Sequence, residues 1–126
     1  MDIKYFYSLC VFAGFVLLTG CGQQGANDSV NQRLFKLAHM NGCIECHTVS
    51  AATVGPSWMA IAERYKDTPR AEARALLIES VKKGSQGKWL TWKGGGGMPP
   101  LGKRVSEEHI TELVDFILSL DTSNKG

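Results

Sequence analysis

Five consecutive residues carry the most specific chemistry in the chain: Cys43, Ile44, Glu45, Cys46 and His47. Two thiols three positions apart can each add across one of the two vinyl groups of a protohaem, and the residue that follows brings an imidazole beneath the iron. That is the spacing of covalent haem attachment. Other chemistries fit it less well. A thioredoxin-like redox pair wants a preceding strand in a βαβ setting, and no such pattern surrounds this motif. A zinc site would need a second ligand pair, and the remaining thiols, Cys10 and Cys21, lie in an N-terminal stretch that reads as cleavable. A structural disulfide between Cys43 and Cys46 is the residual alternative.

An iron held by one imidazole has a second axial position, and a thioether there favours Fe(II) and raises the reduction potential. Met98 is the candidate, in Gly94-Gly95-Gly96-Gly97-Met98-Pro99-Pro100. The proline after it restricts Met98 to extended backbone, and the two prolines together stiffen the segment that would present its sulfur. Met40 lies three residues before Cys43, too close in sequence to reach the other haem face, and reads as a packing residue. Met59 reads as core, and His39 and His109 as solvent-facing or helix-end residues.

The rest of the chain must hold such a group in place. With 126 residues, a formal charge of +2 and 44% apolar residues, it has room for one small domain, and no internal repeat is visible. About a hundred residues make a small core that gains from a covalent staple, which a haem bonded at Cys43 and Cys46 would supply. The modest net charge and short basic run argue against nucleic acid as a partner.

The N-terminus reads as an address. After Lys4 the apolar run from Tyr5 to Leu18 falls short of the roughly 20 residues that span a bilayer and has the character of a secretory signal peptide. It ends in Leu18-Thr19-Gly20-Cys21, which looks like a bacterial lipoprotein box, where the cysteine is acylated on sulfur and becomes the first mature residue. The expected layout is a lipoprotein-type signal peptide over 1–20, a polar tether over 21–28, a domain over 29–121 and a tail over 122–126. Soluble export and an uncleaved anchor helix are the alternatives.

Four amphipathic helices are expected. Asp28 or Ser29 can cap the first, with Val30, Leu34, Leu37 and Ala38 on one face and Gly42 as its stop. A short second helix places Trp58, Ile61, Ala62 and Tyr65 together. Thr68-Pro69, a cap followed by proline at the first helical position, opens a third whose inner face is Ala73, Leu76, Leu77 and Val81, ended by Gly84. Ser85 to Val105 has no apolar period and contains six glycines, so it is a long irregular loop of the kind that usually serves function. Ser106 caps a last helix with Ile110, Leu113, Val114 and Ile117 inward. No segment alternates with period two, and the fold class is all-α.

From about Leu34 to Leu118 the chain resembles, segment by segment, the small bacterial monohaem class I cytochromes c that donate electrons in respiration and denitrification. Leu34-Phe35-Lys36, Gly42-Cys43, Val54-Gly55-Pro56, Gly84-Ser85-Gln86-Gly87 and Met98-Pro99-Pro100 carry the likeness, together with the aliphatic helix around Phe116. The resemblance implies a class I fold of about four helices wrapped around one covalent haem c, with His47 and Met98 as the iron ligands. It implies that the carbonyl of Pro56 accepts the other imidazole proton of His47. It also implies that Trp89 lies beside a haem propionate, with Trp92 the alternative for that role; plain core filling is the competing account of either tryptophan. The function it implies is one-electron carriage between periplasmic or membrane redox partners. Nothing in the sequence indicates oligomerisation, so a monomer is expected, and the chain reads as a carrier and not as an enzyme in its own right. The alternatives are an electron-transfer subunit of a larger oxidoreductase, and a ligand-binding or peroxidase-like module with an open iron position.

The chain departs from that family where four glycines precede Met98, each with a large ordering entropy to lose. A labile iron bond follows as an expectation, with Lys93 or Lys103 displacing Met98 at alkaline pH. Between Glu79 and Glu107 there is no acidic residue, while Lys82, Lys83, Lys88, Lys93, Lys103 and Arg104 all fall there. Such a ring of cations around a haem edge would steer an acidic redox partner. The same charges also suit a merely solvated loop.

Overall fold

The computed structural model describes residues 23–89 and 97–123, with side chains from Val30 onward. Its elements are α1 (Gln23–Met40), a 3-10 turn (Cys43–Glu45), α2 (Trp58–Tyr65), α3 (Arg70–Lys83) and α4 (Glu107–Ile117). The chain divides after Gln32, and the main body begins at Arg33. Among the described residues there is no strand, only an isolated antiparallel bridge between Ser85 and Met98. The all-α expectation holds. No helix among the described residues is long and apolar enough to cross a membrane.

α1 begins earlier than its expected caps at Asp28 or Ser29: most of the polar stretch expected as a tether is helical from Gln23. Its buried stripe begins only at Leu34, with Leu37 and Ala38, whereas Val30 is 54% exposed. Gly42 ends the run as expected, at φ +71, a conformation that glycine adopts without a Cβ penalty. The side chain of Asn41 reinforces that end by donating to the Leu37 carbonyl at 2.8 Å. Met40, expected to pack, is exposed instead.

Ser57 caps α2: its Oγ accepts from the Ala60 N–H at 3.1 Å while the residue itself is buried. Trp58, Ile61 and Ala62 are buried as their spacing predicted. At α3 the proline sits one position earlier than expected, as the cap itself; its carbonyl accepts the first helical bond, from Ala73 at 3.0 Å. Ala73 is buried but Leu76 is exposed, because α3 turns Leu77, Ile78 and Val81 toward the body. α3 packs mainly on α4, and α2 packs on α4 as well. Ser106 caps α4 through its Oγ, 3.3 Å from the His109 N–H, and Ile110, Leu113 and Val114 are buried.

Two apolar clusters result. Leu37, Ala38, Trp58, Ile61 and Leu113 form one; Leu101, Val105, Ile110 and Val114 form the other. Trp58 meets Phe116 edge to face, with ring centroids 6.0 Å apart. A wide cleft opens between these clusters, floored by α4.

Candidate functional site

The 3-10 turn sets the geometry of the thiol pair. Gly42, left-handed, aims the chain into the turn, and the N–H groups of Cys46 and His47 both close on the Cys43 carbonyl, at 3.3 and 3.0 Å. Cys43 and Cys46 are not joined to each other in a disulfide, and each is partly exposed. Before haem is attached, burial pushes the Cys43 thiol above its ordinary pKa, more than its own backbone hydrogen bond lowers it.

The imidazole of His47 is fixed from behind. Its Nδ1 lies 2.7 Å from the carbonyl oxygen of Pro56. A carbonyl can only accept, so Nδ1 carries the proton and Nε2 presents a lone pair. Gly55 makes this approach possible: a Cβ built there would stand 2.6 Å from Cε1 of His47. The loop is closed by Gly55 N–H donating to the Cys46 carbonyl at 2.7 Å, joined at that oxygen by the hydroxyl of Thr53 at 2.8 Å. Thr53 is a contributor that no spacing rule pointed to.

Cys43, Cys46, His47, Pro56, Trp89 and Met98 all line one cleft that encloses about 1180 Å³ of free space, its mouth included. The remaining wall is mostly aliphatic: Ile61, Leu77, Val81, Leu101, Val105, Ile110, Leu113 and Ile117. The sequence-derived site residues are therefore brought together, apart from Cys21, Trp92 and Lys93, which lie outside the described residues. Arg64 was not foreseen. Its guanidinium lies 4.6 Å from the Trp89 ring centroid and donates to the Lys88 carbonyl, so it pins two residues that line the cleft. Only its position on the polar side of a short helix could have hinted at this.

The cationic segment is less bare than its sequence implies. Lys82 pairs with Glu107 at 2.8 Å and Lys83 with Glu79 at 2.7 Å, the two acidic residues that bracket the segment. Lys88 donates to Ser80 Oγ, while Lys103 and Arg104 are exposed. His109 Nδ1 lies 3.3 Å from the Asn41 amide nitrogen, so it is a helix-end residue as expected, half-buried rather than fully solvated.

Two cysteine sulfurs, an imidazole with a free Nε2, a thioether and an aliphatic wall form a donor set whose chemistry fits haem. The fold and site together define a small all-α c-type haem protein. The family model described as cytochrome c matches residues 32–121. Cytochrome c-552 of Nitrosomonas europaea is 39% identical over 84 residues, 67% of this chain and 75% of that protein. Cytochrome c-552 of Hydrogenobacter thermophilus is 32% identical over 106 residues, 84% of this chain and 96% of that one. The crystal structure of the wild-type Nitrosomonas europaea protein superimposes with a TM-score of 0.60 at 38% identity, covering 69% of this chain and 99% of that one. The class 1 cytochrome MtoD from Sideroxydans lithotrophicus superimposes at 0.56 with 31% identity, covering 71% and 94%. This chain belongs to the cytochrome c family, and one haem c is bound covalently through its cysteine pair.

Proposed function

We propose that this chain is an exported monohaem electron carrier whose iron is ligated by His47 and Met98 and which turns over no substrate of its own. The observation that carries this is the placing of His47 and Met98 on one apolar cleft, with the imidazole already oriented by Pro56. When bound, the haem supplies a one-electron Fe(III)/Fe(II) couple. Cys43 and Cys46 retain it, and the Pro56 carbonyl keeps His47 in the tautomer that offers Nε2 and raises its basicity. The aliphatic wall excludes water, which holds down the reorganisation that accompanies a change of charge. Trp89, propped by Arg64, would offer its indole N–H to a haem propionate.

An acidic redox protein is the partner, met through Lys88, Lys103 and Arg104 in a brief encounter, with Lys82 and Lys83 partly neutralised by their glutamates. Residues 1–20 serve as a lipoprotein-type signal peptide and Cys21 takes the lipid, which places the domain at the periplasmic side of a bacterial membrane. The chain works as a monomer. Metabolic labelling with a fatty acid, lost in Cys21→Ser, tests the anchor.

The ligand reading is tested by optical spectra of the purified protein in both oxidation states. A pigment that survives acidic acetone reports covalent haem, and a weak red charge-transfer band in the ferric form reports the thioether. Met98→Ala should abolish that band and let carbon monoxide bind the reduced protein rapidly. A band that persists in Met98→Ala would assign the ligand elsewhere.

A further inference from the structure

We infer that Met98 is positioned by the C-terminal end of α3, and that Gly84 and Gly97 are required there because a side chain at either would push the ligand segment off its anchor. The inference rests on Met98 as an iron ligand and adds what holds it. A helix leaves its last carbonyls without partners inside the helix. Two of these are taken by the ligand segment: Leu101 N–H donates to the Val81 carbonyl at 3.0 Å, and Gly102 N–H to that of Lys82 at 3.1 Å. Just beyond, Ser85 and Met98 exchange both backbone bonds, Ser85 N–H to Met98 O at 3.0 Å and Met98 N–H to Ser85 O at 2.7 Å. The stretch 98–102 is thereby fastened to 81–85 along its length.

The α3 side of this junction is crowded at Gly84. Its φ is +78, and a Cβ there would stand 2.6 Å from the Met98 carbonyl oxygen and 2.9 Å from the Pro100 nitrogen. Both are backbone atoms and cannot swing aside as a flexible side chain would. A Cβ at Gly97 would strike the Ser85 carbonyl oxygen and Gln86, although Gly97 lies outside the left-handed region. The glycine run alone suggests a loosely tethered methionine. These bonds tie Met98 instead to α3, an element packed on α4.

The test uses ferric holoprotein, reading the thioether charge-transfer band alongside haem content and far-UV helix signal in Gly84→Ala, Gly97→Ala and Gly87→Ala. Gly87 shares the left-handed backbone, φ +69, but a Cβ there meets nothing within 4 Å. The expected result is loss of the band in Gly84→Ala and Gly97→Ala, with haem and helix retained, and its survival in Gly87→Ala. Unaltered protein without the band would overturn the ligand assignment itself. A band present in the unaltered protein and kept in both Gly84→Ala and Gly97→Ala would overturn the positioning role, as would its loss in Gly87→Ala. Should Gly84→Ala fail to accumulate, Gly97→Ala decides alone, since it carries no left-handed strain.

Discussion

The imidazole of His47 is held by contacts that leave it little freedom: a hydrogen bond from Nδ1–H to the Pro56 carbonyl, and a glycine pressed against the ring edge. The carbonyl fixes the tautomer and Gly55 fixes the distance, so the two act as one device. Gly55→Ala should therefore force the loop off the ring, at about 1–3 kcal/mol, the usual range for overpacking. Urea denaturation would measure it. An unchanged midpoint would mean that the loop relaxes freely and that the hold on His47 is weaker than the Nδ1 to carbonyl distance of 2.7 Å implies.

Among the elements, α2 and α4 both begin at a serine whose hydroxyl accepts from the N–H three residues on, yet the two caps differ in setting. Ser57 is 4% exposed, whereas Ser106 faces solvent. Removing an exposed cap hydroxyl leaves an N–H that water can satisfy, and Ser106→Ala should lose about 1 kcal/mol. Ser57→Ala leaves the partly buried N–H of Ala60 without its partner and should lose nearer 2 kcal/mol. Denaturant midpoints of the two variants give the comparison, and equal losses would show that water reaches the start of α2. The far end of α4 is served from α3, where Arg70 donates to the carbonyls of Asp115 and Leu118 and Arg74 pairs with Asp115 at 2.9 Å. Those bonds help explain why α3 turns as it does and leaves Leu76 outside.

At the scale of the whole molecule, one side chain serves stability and site together. Ile110 is 1% exposed, lies in the second cluster and also lines the cleft. Ile110→Ala should lose about 2–5 kcal/mol, and a shifted haem spectrum should accompany the fall in thermal midpoint. Surface charge acts more gently. Glu79 and Glu107 are held below the ordinary carboxylate pKa, first by hydrogen bonds from Lys83 and Lys82 and then by their charges. A depressed carboxylate contributes stability that is present above its unfolded pKa and is lost as pH falls through the folded value. Lys83, raised by Glu79, behaves in the opposite sense, losing its contribution as pH rises through its folded value. Both pairs are solvent-exposed, so the acid limb of thermal stability should be shallow and flatter still in a Glu79→Gln, Glu107→Gln double variant. That variant frees two cations beside residues 98–102. Its electron-transfer rate with an acidic partner should depend more steeply on ionic strength, and an unchanged slope would place the docking surface elsewhere.

Cys43, Cys46 and His47 were legible because covalent attachment demands fixed spacing along the chain, and the apolar faces of α2 and α4 because a helix that must bury one side repeats its residues with the helical period. Gly42 and Gly84 were legible as helix stops for a similarly local reason. What the sequence determined by itself was thus the cofactor, the all-α class and Met98 as the second-ligand candidate. The pairing of Met98 with Ser85, the cation–π contact of Arg64 on Trp89, the neutralising of Lys82 and Lys83 and the rotation of α3 are contacts between residues distant along the chain or choices among equally apolar faces. No local period encodes them; they are decided only when helices pack, since each depends on which surfaces the other elements leave open.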